Sequence, residues 1–531
     1  MSGVAGSVTR GAHPLYGAVR SHGLGDVLRE HRRSRPLMAA VVDGEHRSTW
    51  PQLDARVNRL AGVLRECGVG SGGRLMWLGQ NSFRVLECLL AAAKVGAVLC
   101  PANWRMGATE MAHAIQDFDP QVVVWQDLEI GDTVRRARTL HAGTAHWIQH
   151  DATGTGSYEH FIAMQSDADD DLRVDADAPV LAIFTAAFDG RPKAALLSHA
   201  AILAQALVSG YGFAIDERSV YLNAGPLFHL GTLNTTLTAF VYGGCNVFVR
   251  RAEAEEMLQA IQDERVSHAF VPQPTIERMR ELNTGGAWDV SSLWSTPDAR
   301  EYRHPQVMPA AAPFAKRLGV YGQTETTGWA VVGWLGHGEG SRPSPMVQVR
   351  IVDDDGREVA AGETGEIVVR GALVMCGYAG ADAENAARAG DGWHHTRDLG
   401  RRLADGSIEF VGPKTVLIKS ALENVYPAEV ERCLREHPAV RDACVIGVPD
   451  ERWTQSVKAV DVAAPGASVT ADDLIAHCRE RIASYKKPKS VVFVDALPAL
   501  PGGGVDRAAV DAAHGGGGYP QSRPVPQGKQ G

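Results

Sequence analysis

The chain has 531 residues, 45% of them hydrophobic and 22% charged, enough to bury a large core in more than one domain. Its formal net charge is −9, with no long Lys/Arg block, so nucleic acid is excluded as the expected partner. Eight cysteines, none in a CxxC pair, point to reduced and mostly buried thiols rather than a disulfide framework.

The opening residues MSGVAGSVTRGAHPLYG lack the apolar stretch of a secretory signal. Residues 23–95 alternate helical patterns with short strands such as RLMWLG (74–79). The apolar run at 85–102 is broken by Glu87 and Lys94, too short and too charged for a bilayer, and reads as a buried helix leading into a strand. The expected location is therefore the cytoplasm. QVVVWQD, HWIQHD, APVLAIF (178–184), NVFVRR and HAFVPQ continue as buried strands between helices. That alternation predicts doubly wound α/β layers.

From about residue 347 the pattern changes. VQVRIVDDDGREVAAGETGEIVVRG reads as two strands around an Asp-Gly turn, and a second turn lies at 403–412. After 412 a smaller α+β unit begins with KTVLIKS and the helix PAEVERCLREH, which has Pro427 in its first turn. The expected organisation is a flexible N-terminus (1–24), a large domain with a β-rich subdomain (25–412), a small mobile domain (413–512) and a disordered Gly/Pro-rich tail (513–531).

Three stretches carry candidate chemistry. In AIFTAAFDGRPKAALLSH (182–199) a strand, a loop with Thr185 and Lys193, and the helix cap Ser198 form the kind of turn that holds phosphate, although GxxxxGKS/T is absent. A plain surface loop is the competing reading. In YGQTETTG (321–328) four hydroxyls, an amide and Glu325 follow a short strand, where hydroxyls can donate to phosphate and Glu325 can bind Mg²⁺. A polar turn is the competing reading there. In GWHHTRDLGRRLADG, Asp398 can accept hydrogen bonds from a ribose diol. The adjacent His394 and His395 lack metal-ligand partners, and GVGSGG (68–73) precedes its strand, so neither is a metal nor a dinucleotide motif.

Together these stretches resemble the adenylate-forming superfamily of acyl-CoA synthetases, peptide-synthetase adenylation domains and luciferases. FTAAFDGRPKAALLSH is similar to its phosphate loop, usually T-S/G-G-T-T-G-x-P-K-G. YGQTETTG matches its most diagnostic motif, HTRDLGRRLADG its T-G-D-x-G, and IKSALENVYPAEVE the opening of its C-terminal domain. PLFHLG (226–231) resembles the acyl-tunnel segment, and PANWRM (101–106) with ENVYPAEVE looks most like the fatty-acyl and medium-chain ligase branch.

The resemblance implies an ATP-dependent acid–CoA ligase. A carboxylate would attack the α-phosphate of ATP to give acyl-AMP, the small domain would swing, and the CoA thiol would displace AMP. By position, Thr185, Lys193 and Glu325 would be catalytic, and Glu325 would hold Mg²⁺. Tyr321, Gly322, Gln323, Thr324 and Asp398 would bind nucleotide, His229 would line the substrate tunnel, and Lys419 and Glu423 would serve CoA on the small domain. The implied substrate is an aliphatic acid, with aromatic and steroid-derived acids left open.

The chain departs from this pattern where it touches the nucleotide. In FVDALPALPGGGVDRAAV (493–510) the family's catalytic lysine position is Gly504. The phosphate loop carries Ala187, Phe188 and Asp189, the glycine of T-G-D is Arg397, and the adenine-pocket glycines are replaced by STPDAREYRH (295–304). Before the small domain Pro413 and Thr415 stand where arginine and a charged hinge residue are usual, and Ala421-Leu422 replaces Gly-Gly. Losing one preorganised charge costs on the order of 10²–10³ in rate. Two alternatives to the ligase therefore stay open: an enzyme repurposed to thiol transfer, condensation or cyclisation, and a non-catalytic acyl- or nucleotide-binding protein.

Overall fold

The structure is a computed structural model that describes residues 21–141, 143–185, 192–271, 273–293, 306–307, 320–333, 341–389, 391–420, 423–499 and 504–519. The alternating strands and helices of the first half assemble around two sheets. In the first, Pro179–Phe184, Val98–Pro101, Arg74–Leu78, Val122–Trp125 and His146–Gln149 lie side by side and parallel. Ala194–Ser198 and Gly377–Tyr378 extend it with antiparallel pairing. In the second, Ala39–Asp43, Cys245–Phe248, Val220–Asn223 and His268–Phe270 are parallel, with antiparallel His46–Thr49 and Gln306–Val307 at the edges.

Residues 85–102 behave as the sequence indicates. The helix Phe83–Val95 is buried on almost every side and ends at Gly96, whose φ of +74° is a left-handed cap open to glycine at no side-chain cost. Its two charges survive burial because they are paired. Lys94 Nζ lies 2.6 Å from Asp54 and 2.7 Å from Asp169, while Glu87 is held by Arg56 and by the Tyr158 hydroxyl at 2.9 Å.

The β-rich subdomain is an antiparallel sheet of Val347–Val352, Thr364–Gly371, His394–Arg402 and Ile408–Pro413. The chain leaves it at Pro413 and enters the next sheet at Ile418, so Thr415 lies in the link between them. That sheet joins Ile418–Ser420, Glu423–Val425, Thr454–Ala463, Val440–Asp450 and Ser490–Phe493. The helices Pro427–Arg435, Ala471–Arg481 and Arg507–Ala513 complete the small unit. The doubly wound α/β class with a β-rich subdomain and a small α+β domain is thus the observed architecture.

One expectation needs correction. Residues 514–519 do not trail away from the small unit. Lys458 Nζ donates to the His514 carbonyl at 2.8 Å, and Gly517 N donates to the Gly447 carbonyl at 3.0 Å. The glycines that suggested disorder leave the backbone free to reach these partners, with φ of +76° at Gly515 and +59° at Gly518. Residues 520–531 and 1–20 lie outside the described residues.

Among the described residues no helix is long and apolar enough to cross a membrane. All eight cysteines are free, and Cys88, Cys100, Cys433, Cys444 and Cys478 are buried.

Candidate active site

A cleft of about 510 Å³ opens between the large and small domains, lined by both. Its floor is YGQTETTG. The strand Val320–Gln323 ends in one 3₁₀ turn at Thr324–Thr326, and Thr327 at φ +51° reverses the chain into Gly328–Val332. A Cβ on Gly322 would run into the Gly328 carbonyl, so the turn needs glycine there. The turn buries Glu325 and leaves Thr324 partly open to the cleft. The Tyr378 hydroxyl donates to Glu325 Oε1 at 2.6 Å.

Asp398 closes one end. Its Oδ2 accepts from the Tyr321 hydroxyl at 2.9 Å and from Gln323 Nε2 at 3.0 Å. Burial pushes its carboxyl up to about 6, against the pull of those two bonds. His394 has the ordinary role expected of it and also a specific one. Burial, then the charge of Arg388, takes its imidazole down to about 3, so it is neutral. Its Nε2 lies 3.1 Å from Gln323 Oε1, and a proton there fixes the amide with its nitrogen toward Asp398. Arg397, in the expected glycine position, keeps the glycine conformation at φ +60°, a strain of roughly 1–2 kcal/mol for a residue with a Cβ.

On the phosphate side, Thr185 is buried and donates its N–H to the Lys193 carbonyl at 2.8 Å. Thr185 lines the cleft beside Thr324 and Glu325, whereas Lys193 turns from it to an ion pair with Glu384. Ala187, Phe188, Asp189 and Gly190 of the loop between them, and residues 295–304, lie outside the described residues.

The small domain presents one face to the cleft. His229 Nε2 is 3.0 Å from Glu423 Oε1, and Arg105 Nη1 is 3.2 Å from the same oxygen. Burial raises the Glu423 carboxyl, but His229, Arg105 and Lys486 together hold it below the usual range. Three segments singled out in the sequence, PANWRM, PLFHLG and ENVYP, therefore meet at one carboxylate. Lys419 lies beside them, its ammonium pushed down by burial and donating to Asn424 Oδ1 at 2.8 Å.

Lys486 is fully committed to the interface. Its Nζ sits 2.6 Å from Glu110 of the large domain and 2.7 Å from Glu429 of the small one. The Ala483 N–H adds a bond to Glu110 at 2.7 Å.

Gly504 is placed differently. It is exposed at φ +82°, with open space where a Cβ would be, and among the described residues from 486 to 519 Lys486 and Tyr519 line the cleft and Gly504 does not. Its loop is pinned to the small domain through Arg507, which donates to the Val445 carbonyl at 2.6 Å and pairs with Glu431 at 2.6 Å.

Comparison with known proteins agrees with this fold. The family model for AMP-binding enzymes matches residues 28–379, and that for the AMP-binding enzyme C-terminal domain matches 429–502. The chain belongs to the adenylate-forming AMP-binding enzymes. It is 34% identical to a feruloyl-CoA synthase of an Amycolatopsis species, over 93% of this chain and 99% of that one. It is 32% identical to the indoleacetate–CoA ligase of Aromatoleum aromaticum, over 90% of this chain and 95% of that one. Its fold matches an o-succinylbenzoate CoA synthetase of Bacillus subtilis, solved with a product analogue, at a TM-score of 0.77 and 24% identity over 93% of this chain and 99% of that one.

In this AMP-binding enzyme Mg²⁺ fits the donor set without a metal cage. Among the described residues no group of three His, Cys, Asp or Glu is arranged to hold a metal. Mg²⁺ commonly takes one or two carboxylates and completes its shell with water and substrate phosphates, and Glu325 offers one beside Thr324. The sequence reading missed Tyr378, Phe410, Tyr426 and Lys486 at the site. Tyr378 lies in a two-residue strand outside the motifs, Phe410 just past HTRDLGRRLADG, Tyr426 inside IKSALENVYPAEVE without a distinctive chemistry of its own, and Lys486 in a turn among other lysines.

Proposed function

We propose that the protein is an acid–CoA ligase whose thiol-transfer half is fully equipped and whose adenylation half is slow. A substrate carboxylate oxygen attacks the α-phosphorus of ATP, and pyrophosphate leaves with the bonding pair. The CoA thiolate then attacks the acyl carbon, and AMP departs as its C–O bond breaks. Thr185 and Thr324 donate to phosphate oxygens, Glu325 carries Mg²⁺, Asp398 accepts the ribose hydroxyls, and Tyr321 flanks the base. Lys193 acts from the cleft only after exchanging Glu384 for phosphate. When bound, Mg²⁺ supplies charge neutralisation on the phosphates.

The observation that carries the reading is the meeting of Arg105 and His229 with Glu423. It draws Lys419, Glu423 and Tyr426 to the cleft, while Gly504 offers no cation toward it. Arg397 is our candidate for the substitute charge: its field, like the stronger one of Arg388, is felt at Tyr378, the partner of Glu325.

The names of the two relatives above favour an aromatic acid, a phenylpropenoic or arylacetic acid, over the aliphatic one expected from the sequence. Free cysteines support a reducing compartment, the cytoplasm. The test is thioester formation with ATP, Mg²⁺ and CoA across a panel of aromatic and aliphatic acids. The reading expects turnover with aromatic acids and its loss in Glu325→Ala. An aliphatic-only profile would replace the substrate class, and no thioester from any acid or from a synthetic acyl-adenylate would sink the ligase reading.

A further inference from the structure

Residues 514–518, just after the helix Arg507–Ala513, are tied down by hydrogen bonds. Besides the bonds at His514 and Gly517, Gly516 N donates to the Asp511 carbonyl at 2.8 Å and Gly518 N to Asp511 Oδ2 at 3.2 Å. Gln455 Nε2 donates to the Gly518 carbonyl. These bonds deliver Tyr519 into the cleft. Its ring meets Phe410 edge-on, with centroids 6.3 Å apart at 81°, and Phe410 stacks on Tyr321 at 5.4 Å and 21°. Burial, and then the nearby Asp398 carboxylate, raises the Tyr519 phenol.

Tyr519 thus stands at the end of the cleft defined by Tyr321 and Asp398, yet it is carried by the small domain. We infer that Tyr519 is a binding residue for the adenosine monophosphate moiety, an aromatic wall that the C-terminal segment brings against the nucleotide end of the cleft. Resting on the ligase reading, it gives that reading a physical detail: the adenylate is retained by a wall that arrives with the face that performs thiol transfer. A tyrosine ring serves because its apolar face can pack on a nucleoside while its hydroxyl stays wet. The glycine run suits the path, since Gly517 and Gly518 lie close over the sheet edge at Pro449 and Gln455.

The experiment is isothermal titration of AMP into the full-length protein, wild type against Tyr519→Ala and Tyr519→Phe, with thermal unfolding as a control. An aromatic contact of this kind predicts that Tyr519→Ala weakens AMP roughly three- to tenfold. Tyr519→Phe should stay within about twofold, and Tyr519→Ala should stay folded, losing only the modest stability of one aromatic contact. AMP binding equal in wild type and Tyr519→Ala would overturn the wall, and tighter binding in Tyr519→Ala would overturn it in favour of a plug that competes with nucleotide. Absence of AMP binding in wild type would remove the ligase reading and the wall together. A chain ending at Gly518, which keeps the helix and its bonds but lacks Tyr519, should reproduce the Ala result, and wild-type affinity in it would equally overturn the wall.

Discussion

The two faces of the small domain differ in kind. The face at Glu423 is charged and paired across the domain boundary: half-buried Glu423 with His229 and Arg105, and buried Lys486 with Glu110. Gly504 is exposed and lacks a side chain, and nearby Arg507 is braced within its own domain. A domain that must present two faces in turn needs chemistry on both. On the proposed reading this one keeps the thiol-transfer chemistry and lacks the cation of the other, so the two half-reactions should respond to different residues.

The strongest way to break the contrast is at Lys486. Lys486→Met leaves Glu110 and Glu429 buried without their cation, which costs roughly 3–5 kcal/mol for a broken buried pair. Chemical unfolding should show the loss, and thioester formation from a synthetic acyl-adenylate should fall with it. If stability and thiol transfer are both unchanged, the paired face is not what holds the domains together.

Glu423→Ala sharpens the same contrast. It should slow thioester formation from acyl-adenylate by on the order of 10², while pyrophosphate release from ATP stays level. Equal losses in both halves would erase the distinction between the faces.

A smaller effect separates the nucleotide end from both faces. Asp398 carries a carboxyl raised to about 6, so it is ionised above that pH and protonates below it. AMP affinity should hold on the alkaline side and weaken about tenfold by pH 5. Asp398→Asn should flatten that profile at a lower affinity, whereas an unchanged slope would assign the titration to another group.

The smallest test concerns Arg397. Replacing it with glycine relieves the strain at φ +60° and should add about 1 kcal/mol of stability. If Arg397 stands in for the absent lysine, pyrophosphate release in Arg397→Gly should nevertheless fall. A variant both more stable and faster would remove that role.

The sequence was informative where chemistry is local. YGQTETTG stood out because so dense a run of hydroxyls is unusual between apolar segments, whereas Asp398 was expected just after a strand and lies inside one, His394–Arg402. The helix-to-strand reading of 85–102 followed from a run too long for a strand and too charged for a membrane. What stayed hidden depends on distance in space. Lys486 looks like its neighbours Lys487 and Lys489 until it meets Glu110, 376 positions away. Lys193 sits in a phosphate-loop pattern, yet its ion pair with Glu384 could be seen only once the helix Asp382–Ala389 had a place. The tail read as disordered because glycine runs carry no apolar pattern, and its bonds run through the backbone, which composition does not reveal.

The central claim is tested most directly by measuring pyrophosphate release from ATP and thioester formation from synthetic acyl-adenylate, side by side, in wild type and Gly504→Lys. The account predicts that wild type transfers the acyl group far faster than it makes the adenylate. Gly504→Lys should raise pyrophosphate release by on the order of 10²–10³, less the strain of a side chain at positive φ, and leave thiol transfer unchanged. Wild-type pyrophosphate release already matching thiol transfer, with no gain from the lysine, would contradict it.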